Sequence, residues 1–349
     1  MKKILIVSCI FYLFSCSDKK SNYPWSELSF YDALALKSDK IIFLDFYSDN
    51  WGACNRLEAE TLNDPRIIDF TNKYLIPIKL DAWYDSIGKE LFSQYNGYAI
   101  PLLLFLDGSG EELDRVVGYK NADDFLVVLN DVLNNENTFM SLYKKYNEGN
   151  REIHIIDNLA SKSEDRQDNE LSSELYQIIL DRKTDFDVNV IERAEYYFAR
   201  LAIKNGNIVE IENFIQKYIN SNYVKTAYYD LIRYYVSQKN NQSEAQTYQR
   251  MLNTFSDDPS MLNSYAWRMS ELEINLNDAL IKSARSIELV DSIGGKFLSL
   301  KPMALDTKAE ILWKLDKIDE AIEIIEQAIE IDPDYQYYKD QKLKFKNSK

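Results

Sequence analysis

Residues 40–54 decide the fold: Lys40, Ile41, Ile42, Phe43, Leu44, Asp45, Phe46, Tyr47, Ser48, Asp49, Asn50, Trp51, Gly52, Ala53 and Cys54. An apolar run of this length, interrupted by one carboxylate, reads as a buried strand. The polar cluster Ser48–Asp49–Asn50 marks a turn, and a helix is expected from about Gly52 to Glu60.

Working outward, residues 25–38 read as a helix, with Ser26 as candidate N-cap and Leu28, Tyr31, Leu34 and Ala35 at helical spacing. After a break at 61–65, Ile67, Ile68, Phe70, Tyr74 and Leu75 suggest a short helix, and residues 76–80 a second buried strand with Pro77 near its start. Residues 85–95 place Ile87, Leu91, Phe92 and Tyr95 on one helical face, and Gly97 marks a turn. A third apolar run begins at Pro101. Residues 107–110 then form a hairpin turn in which Asp107–Gly108 supplies positive backbone angles, leading into a strand at 113–117 and a helix at 122–133.

This order, with Trp51, Cys54 and Pro101 at its junctions, resembles the thioredoxin family over about residues 25–134. There a strand with one acidic residue leads to an aromatic, a turn and Trp-Cys-x-x-Cys at a helix N-terminus. The resemblance puts Asp45 at the acidic position, Tyr47 at the aromatic and Cys54 at the second cysteine. Without gaps, Trp51 takes the place of the attacking cysteine; with a gap it pairs with the family's tryptophan and the nucleophile is deleted. Neither alignment supplies a first cysteine. The resemblance also implies that Pro101 is the family's cis-proline, packed against the active-site turn.

Thiol–disulfide exchange needs a thiolate to attack, and an indole cannot replace it. Cys54 is therefore either a reactive monothiol favoured by a helix N-terminus or a buried, inert side chain. Asp45, the family's proton relay to the resolving cysteine, becomes a relic or a structural acid. Trp51 either presents a flat surface to a partner or packs on Pro101.

Residues 134–137 are a polar joint, after which helical periodicity takes over, first as an extension over 138–186. Ile211, Ala245 and Ala279 then recur 34 apart, and Ala321 follows 42 further on, as if eight residues had been inserted. Thirty-four is the period of the tetratricopeptide helix pair. The last repeat resembles that family most closely: Leu305, Ala309 and Leu312 share a face, 316–319 make the turn, Ala321, Ile325 and Ala328 follow, and Pro333 closes it. Small residues there let two helices approach closely and stack on the next pair. Ile211 and Trp267 depart from the pattern, the stretches 199–218 and 229–252 are more degenerate, and the insertion, 290–302, holds Gly294 and Gly295. Residues 340–349 are expected to be a polar capping end. Tyr196, Tyr197, Tyr228, Tyr229, Tyr234 and Tyr235 could line a concave groove, but ordinary helix packing explains them as well.

With 41 basic and 56 acidic residues the 349-residue chain carries a net charge of −15, which argues against nucleic-acid binding. The 46% hydrophobic fraction suffices for about two cored domains, and 10 Gly and 7 Pro suit helices with few irregular loops. Its one histidine, His154, excludes a multi-His metal centre, and no glycine-rich phosphate loop is present; no metal or cofactor is expected. Glu320, Glu323, Glu326 and Glu330 are expected on the solvent side of their helix.

Lys2 and Lys3 before the apolar run 4–14 read as a signal peptide, too short to span a bilayer. Its end, Leu13, Phe14, Ser15 and Cys16, resembles the lipobox of bacterial lipoproteins, which implies acylation of Cys16. Cys9 would leave with the signal, and Cys54 would be the sole thiol of the mature chain. Ser17, rather than Asp, leans toward the outer membrane by resemblance to lipoprotein sorting signals.

The expected architecture is an α/β thioredoxin-like N-terminal domain followed by an all-α tetratricopeptide-like array. Its divisions are a lipoprotein signal (1–15), a polar tether (16–24), the thioredoxin-like domain (25–134), a helical extension (135–186) and the repeats (187–349). The expected role is a scaffold in the bacterial cell envelope, anchored by lipid to the periplasmic side of the outer membrane. It would hold a protein or peptide through its repeats, with a second contact at the groove beside Pro101. The alternative is a monothiol thiol–disulfide oxidoreductase or redox sensor using Cys54.

Overall fold

The computed structural model describes residues 22–49 and 51–348. The signal segment, Cys16, the start of the tether and Asn50 therefore lie outside the described residues. The chain divides into two compact units, the first ending at Phe186 and the second running Asp187–Lys349.

In the first unit, α1 (Phe30–Ala35) leads to β1 (Ile41–Tyr47), α2 (Gly52–Leu57), α3 (Pro65–Tyr74), β2 (Leu75–Asp81), α4 (Ser86–Gln94), β3 (Leu102–Leu106), β4 (Glu112–Val117) and α5 (Ala122–Asn134). The sheet order is β2-β1-β3-β4, with β1 parallel to β2 and the other pairs antiparallel. Alternation along β1 splits its side chains between two cores. Ile42, Leu44 and Phe46 join Leu102, Leu104, Leu91 and Cys54 on one face. Phe43 joins Phe105 and Phe125 on the other, with the Phe43 and Phe105 rings stacked at 5.2 Å. Each such buried side chain contributes about 1.5–3 kcal/mol.

Two local expectations are corrected. The first helix starts later than Ser26: Ser29 is the N-cap, its hydroxyl accepting from the Asp32 N–H, while Ser26 Oγ accepts from the Leu28 N–H in the preceding bend. A Ser-x-x-Asp N-cap outcompetes the earlier serine. In the β3–β4 connection the positive φ belongs to Gly110 (90°), not Gly108. Asp107 Oδ1 organises that loop by accepting from the Ser109 and Glu111 N–H groups, so the turn is wider than a two-residue hairpin.

The first unit continues through α6 (Phe139–Asn147), α7 (Ile153–Asp165) and α8 (Asn169–Asp181). These helices do more than extend the chain, because α6 and α7 pack on the edge strand β4. Asp114 of β4 is fully buried and is bonded to Lys162 and, at 3.2 Å, to Arg166, whose guanidinium also meets Glu112 at 2.6 Å. Covering an edge strand in this way hides backbone groups that would otherwise pair with another chain.

Among the described residues the second unit is four helical pairs and a closing helix. They are α9 (Val188–Lys204) with α10 (Val209–Lys217), α11 (Val224–Ser237) with α12 (Asn241–Thr254), α13 (Pro259–Leu272) with α14 (Leu276–Ile293), and α15 (Lys301–Lys314) with α16 (Ile318–Ile331), then α17 (Gln336–Asn347). Ile211, Ala245, Ala279 and Ala321 fall on the second helix of successive pairs, and all four are buried. Each pair turns on a left-handed residue, Gly206, Lys239, Glu273 or Asp316. The insertion lengthens α14 and adds a 3-10 turn over Gly295–Leu300. The closing segment is less polar than expected: α17 buries Tyr338 and Phe345 and donates from Gln341 Nε2 to Asp306 and Glu310 on α15. Tyr196, Tyr197 and Tyr228 are buried, and Tyr229, Tyr234 and Tyr235 pack against the core that holds Tyr196 and Tyr228, as helix packing requires.

Candidate functional site

The site lies where β1 and β2 end. Tyr47 of β1 pairs with Asp81 of β2, and the Ala82 N–H donates to Tyr47 O at 2.9 Å, holding the two strand ends together. The Trp51 N–H donates to Ser48 O, and Trp51 O accepts from the Cys54 N–H (2.9 Å) and the Asn55 N–H (3.2 Å), so Trp51 is the N-cap of α2. The Trp51 side chain makes no capping hydrogen bond to this helix.

Cys54 lies inside, only 6% exposed, in a core cluster with Ile100 and Leu102, the residues flanking Pro101. The Ile100–Pro101 peptide is cis. Burial pushes the thiol up to about 11; a backbone hydrogen bond with Ser48 and the Lys79 charge pull it down, and the Asp45 and Asp81 charges add to the rise. At neutral pH it is therefore a neutral thiol, a poor nucleophile.

Asp45 is 3% exposed, and its Oδ1 has no hydrogen-bond partner among the described residues. Burial raises its carboxyl to about 7, with the Lys79 charge opposing and Glu58 adding. Lys79 is the β2 residue in register with Asp45. Its Nζ bonds Glu58 Oε2 at 2.5 Å and lies 4.1 Å from the centre of the Tyr47 ring. Glu58 is brought under the site because the helix after Leu57 widens into a π turn over Glu58–Leu62. Sequence reasoning missed Lys79 and Glu58. The signal was one lysine inside the otherwise apolar run Leu75–Leu80.

On the outside, Trp51 is 46% exposed and meets Trp83 edge to face, with ring centres 5.9 Å apart at 88°. Trp83 follows β2 and is fixed by Asp81, whose Oδ1 accepts from the Trp83 and Tyr84 N–H groups at 2.7 Å each. Trp83 is another residue the sequence reading passed over, although an aromatic pair directly after a strand end was a visible signal. His154 is far from this chemistry in sequence, exposed on α7 with Nδ1 3.4 Å from Glu152. Among the described residues no group of three or more His, Cys, Asp or Glu side chains is placed to hold a metal ion.

With this geometry in hand, residues 32–133 match the thioredoxin-like domain family and residues 304–335 the tetratricopeptide repeat family. The N-terminal α/β unit thus contains a thioredoxin-like domain, and the helical array carries a tetratricopeptide repeat. The thiol:disulfide interchange protein DsbD of Actinobacillus pleuropneumoniae serotype 5b (strain L20) is 31% identical over 104 residues, 29% of this chain and 18% of that protein. DsbD of Haemophilus influenzae (strain PittEE) is 32% identical over 95 residues, 26% of this chain and 16% of that protein. The chain therefore spans less than a fifth of the length of these relatives. Among solved structures, a DsbH oxidoreductase is 20% identical with a TM-score of 0.30, covering 35% of this chain and 92% of that one. A putative disulphide-isomerase from Bacteroides thetaiotaomicron is 32% identical with a TM-score of 0.29, covering 31% and 91%.

Proposed function

We propose that the chain is a binding scaffold whose thioredoxin-like domain has given up thiol exchange and kept its surface for a peptide or protein partner, with the helical repeats as a second binding element. One observation carries this reading: at the strand ends the site turns the Trp51 indole to solvent and keeps the Cys54 sulfur inside. Tetratricopeptide repeats commonly mediate protein interaction, which supports the second element. The DsbD relatives support a second reading, a monothiol oxidoreductase in which Cys54 forms mixed disulfides.

Phage-displayed random peptides selected on the immobilised full chain separate the two. The scaffold reading expects binders that survive Cys54→Ser and are lost in Trp51→Ala. Binders recovered only as mixed disulfides, and lost in Cys54→Ser, would establish the oxidoreductase instead.

The localisation proposed is the bacterial cell envelope, with the chain anchored through an acylated Cys16 to the periplasmic face of the outer membrane. Support comes from the basic start, the apolar run 4–14 and the Leu13–Phe14–Ser15–Cys16 sequence. Cys16→Ala should move the protein from the membrane pellet to the soluble fraction, and unchanged pelleting would count against the anchor.

A further inference from the structure

We infer that the corner formed by Trp51 and Trp83 grips a basic side chain, lysine or arginine, of an extended peptide. The inference rests on the peptide-binding reading above and names what that site selects.

An edge-to-face pair leaves a face of each ring free, and here both indoles are about half exposed, 46% for Trp51 and 42% for Trp83. Neither ring hangs on a loose loop. Trp51 is tied into the first turn of α2, and Trp83 is tied to Asp81 at the end of β2. A cation over an indole face is attracted by the ring quadrupole, and tryptophan is the strongest of the aromatic partners.

The charge around the corner has the matching sign. Asp81 is the strand-end partner of Tyr47 and Asp49 lies two residues beyond Tyr47. Burial raises the Tyr47 phenol and both carboxylates add to the rise, so two negative charges stand within electrostatic reach of the same strand end. Lys79, the cation that acts on the same phenol, is committed to Glu58 and the Tyr47 ring. The Asp49 side chain makes no ion pair among the described residues. An acidic peptide would meet this local charge and a chain of net charge −15. A neutral peptide would bring no charge to meet these carboxylates.

The test uses the full chain and fluorescence anisotropy with three capped, labelled peptides of equal length, alternating alanine with arginine, with citrulline or with glutamate. The arginine peptide should bind, and the citrulline peptide should bind about tenfold more weakly. Trp51→Leu and Trp83→Leu should each weaken the arginine peptide about fivefold, while Trp51→Phe, which keeps a π face, should retain most of the affinity. Asp49→Asn should flatten the salt dependence.

Equal binding of the citrulline or glutamate peptide would overturn the inference. So would arginine-peptide binding indifferent to both leucine variants, because that is attraction to net charge alone, and so would no arginine-peptide binding. A citrulline peptide that binds as tightly as the arginine peptide and is lost in Trp51→Leu would sink the preference for cations while leaving the peptide site standing. The site itself falls when no peptide from the random selection depends on Trp51.

Discussion

Asp45 and Trp51 carry opposite halves of the site's history, one held inside and one turned out. The Asp45 carboxyl titrates at about 7 in the folded chain against an ordinary value of 3.8, because burial disfavours its charge. Between those values the folded state keeps a proton that the unfolded state releases. Stability from the neutral acid is therefore full below the ordinary value and is lost as pH rises through about 7. Asp45→Asn removes that dependence. Its unfolding free energy should gain on that of the wild type between about pH 4 and pH 8 and exceed it at the upper end, by an amount on the order of a few kcal/mol. A difference that stays flat with pH would contradict the assignment. Trp51→Cys should place an exposed thiol at the start of α2, near Cys54, and confer disulfide reduction on an insulin assay in which the wild type is silent. The missing cysteine was legible at once from Trp51 and Cys54. The polar set beneath them was not, because only the β1–β2 register shows that Lys79 faces Asp45.

At the scale of elements, the site depends on how closely α4 approaches the end of β2. A Cβ on Gly88 would stand 2.1 Å from Asp81 O, a backbone atom that cannot swing away. Gly88→Ala should therefore cost about 1–3 kcal/mol by overpacking, read as a lower denaturation midpoint, and should loosen the loop that positions Trp83. On the other sheet edge, Asp114→Ala would remove the ion-pair partner of the partly buried Lys162 and leave Arg166 with Glu112. That variant should lose about 3–5 kcal/mol and expose α7 to limited proteolysis. Strand positions were readable from apolar runs and turn residues, whereas the start of α1 depended on which of two nearby serines found an acid three residues on. The role of α6 and α7 was not readable at all, since a helix period says which face is apolar but not that the face closes a sheet edge.

For the whole molecule, apolar runs with turn signals before residue 134, and helical periodicity with a 34-residue recurrence after it, mark the α/β part and the helical array. The degenerate pairs around α9 to α12 follow the same plan as the last one, with Ile211 fully buried at a position where the repeat family has a small residue. The net charge of −15 sets the kind of partner the surface admits, while the thiol inventory sets the chemistry. The central claim is that Cys54 is silent in the folded chain, and labelling it with a thiol-specific reagent tests this most directly. The comparison runs native full chain against unfolded chain across about pH 5 to 10, with Cys54→Ser as blank. Slow native labelling through pH 8, rising only toward about 11, with fast labelling once unfolded, is the result expected. Fast native labelling with a midpoint below the free-thiol value of about 8.5 would contradict the account and restore a monothiol chemistry to the site.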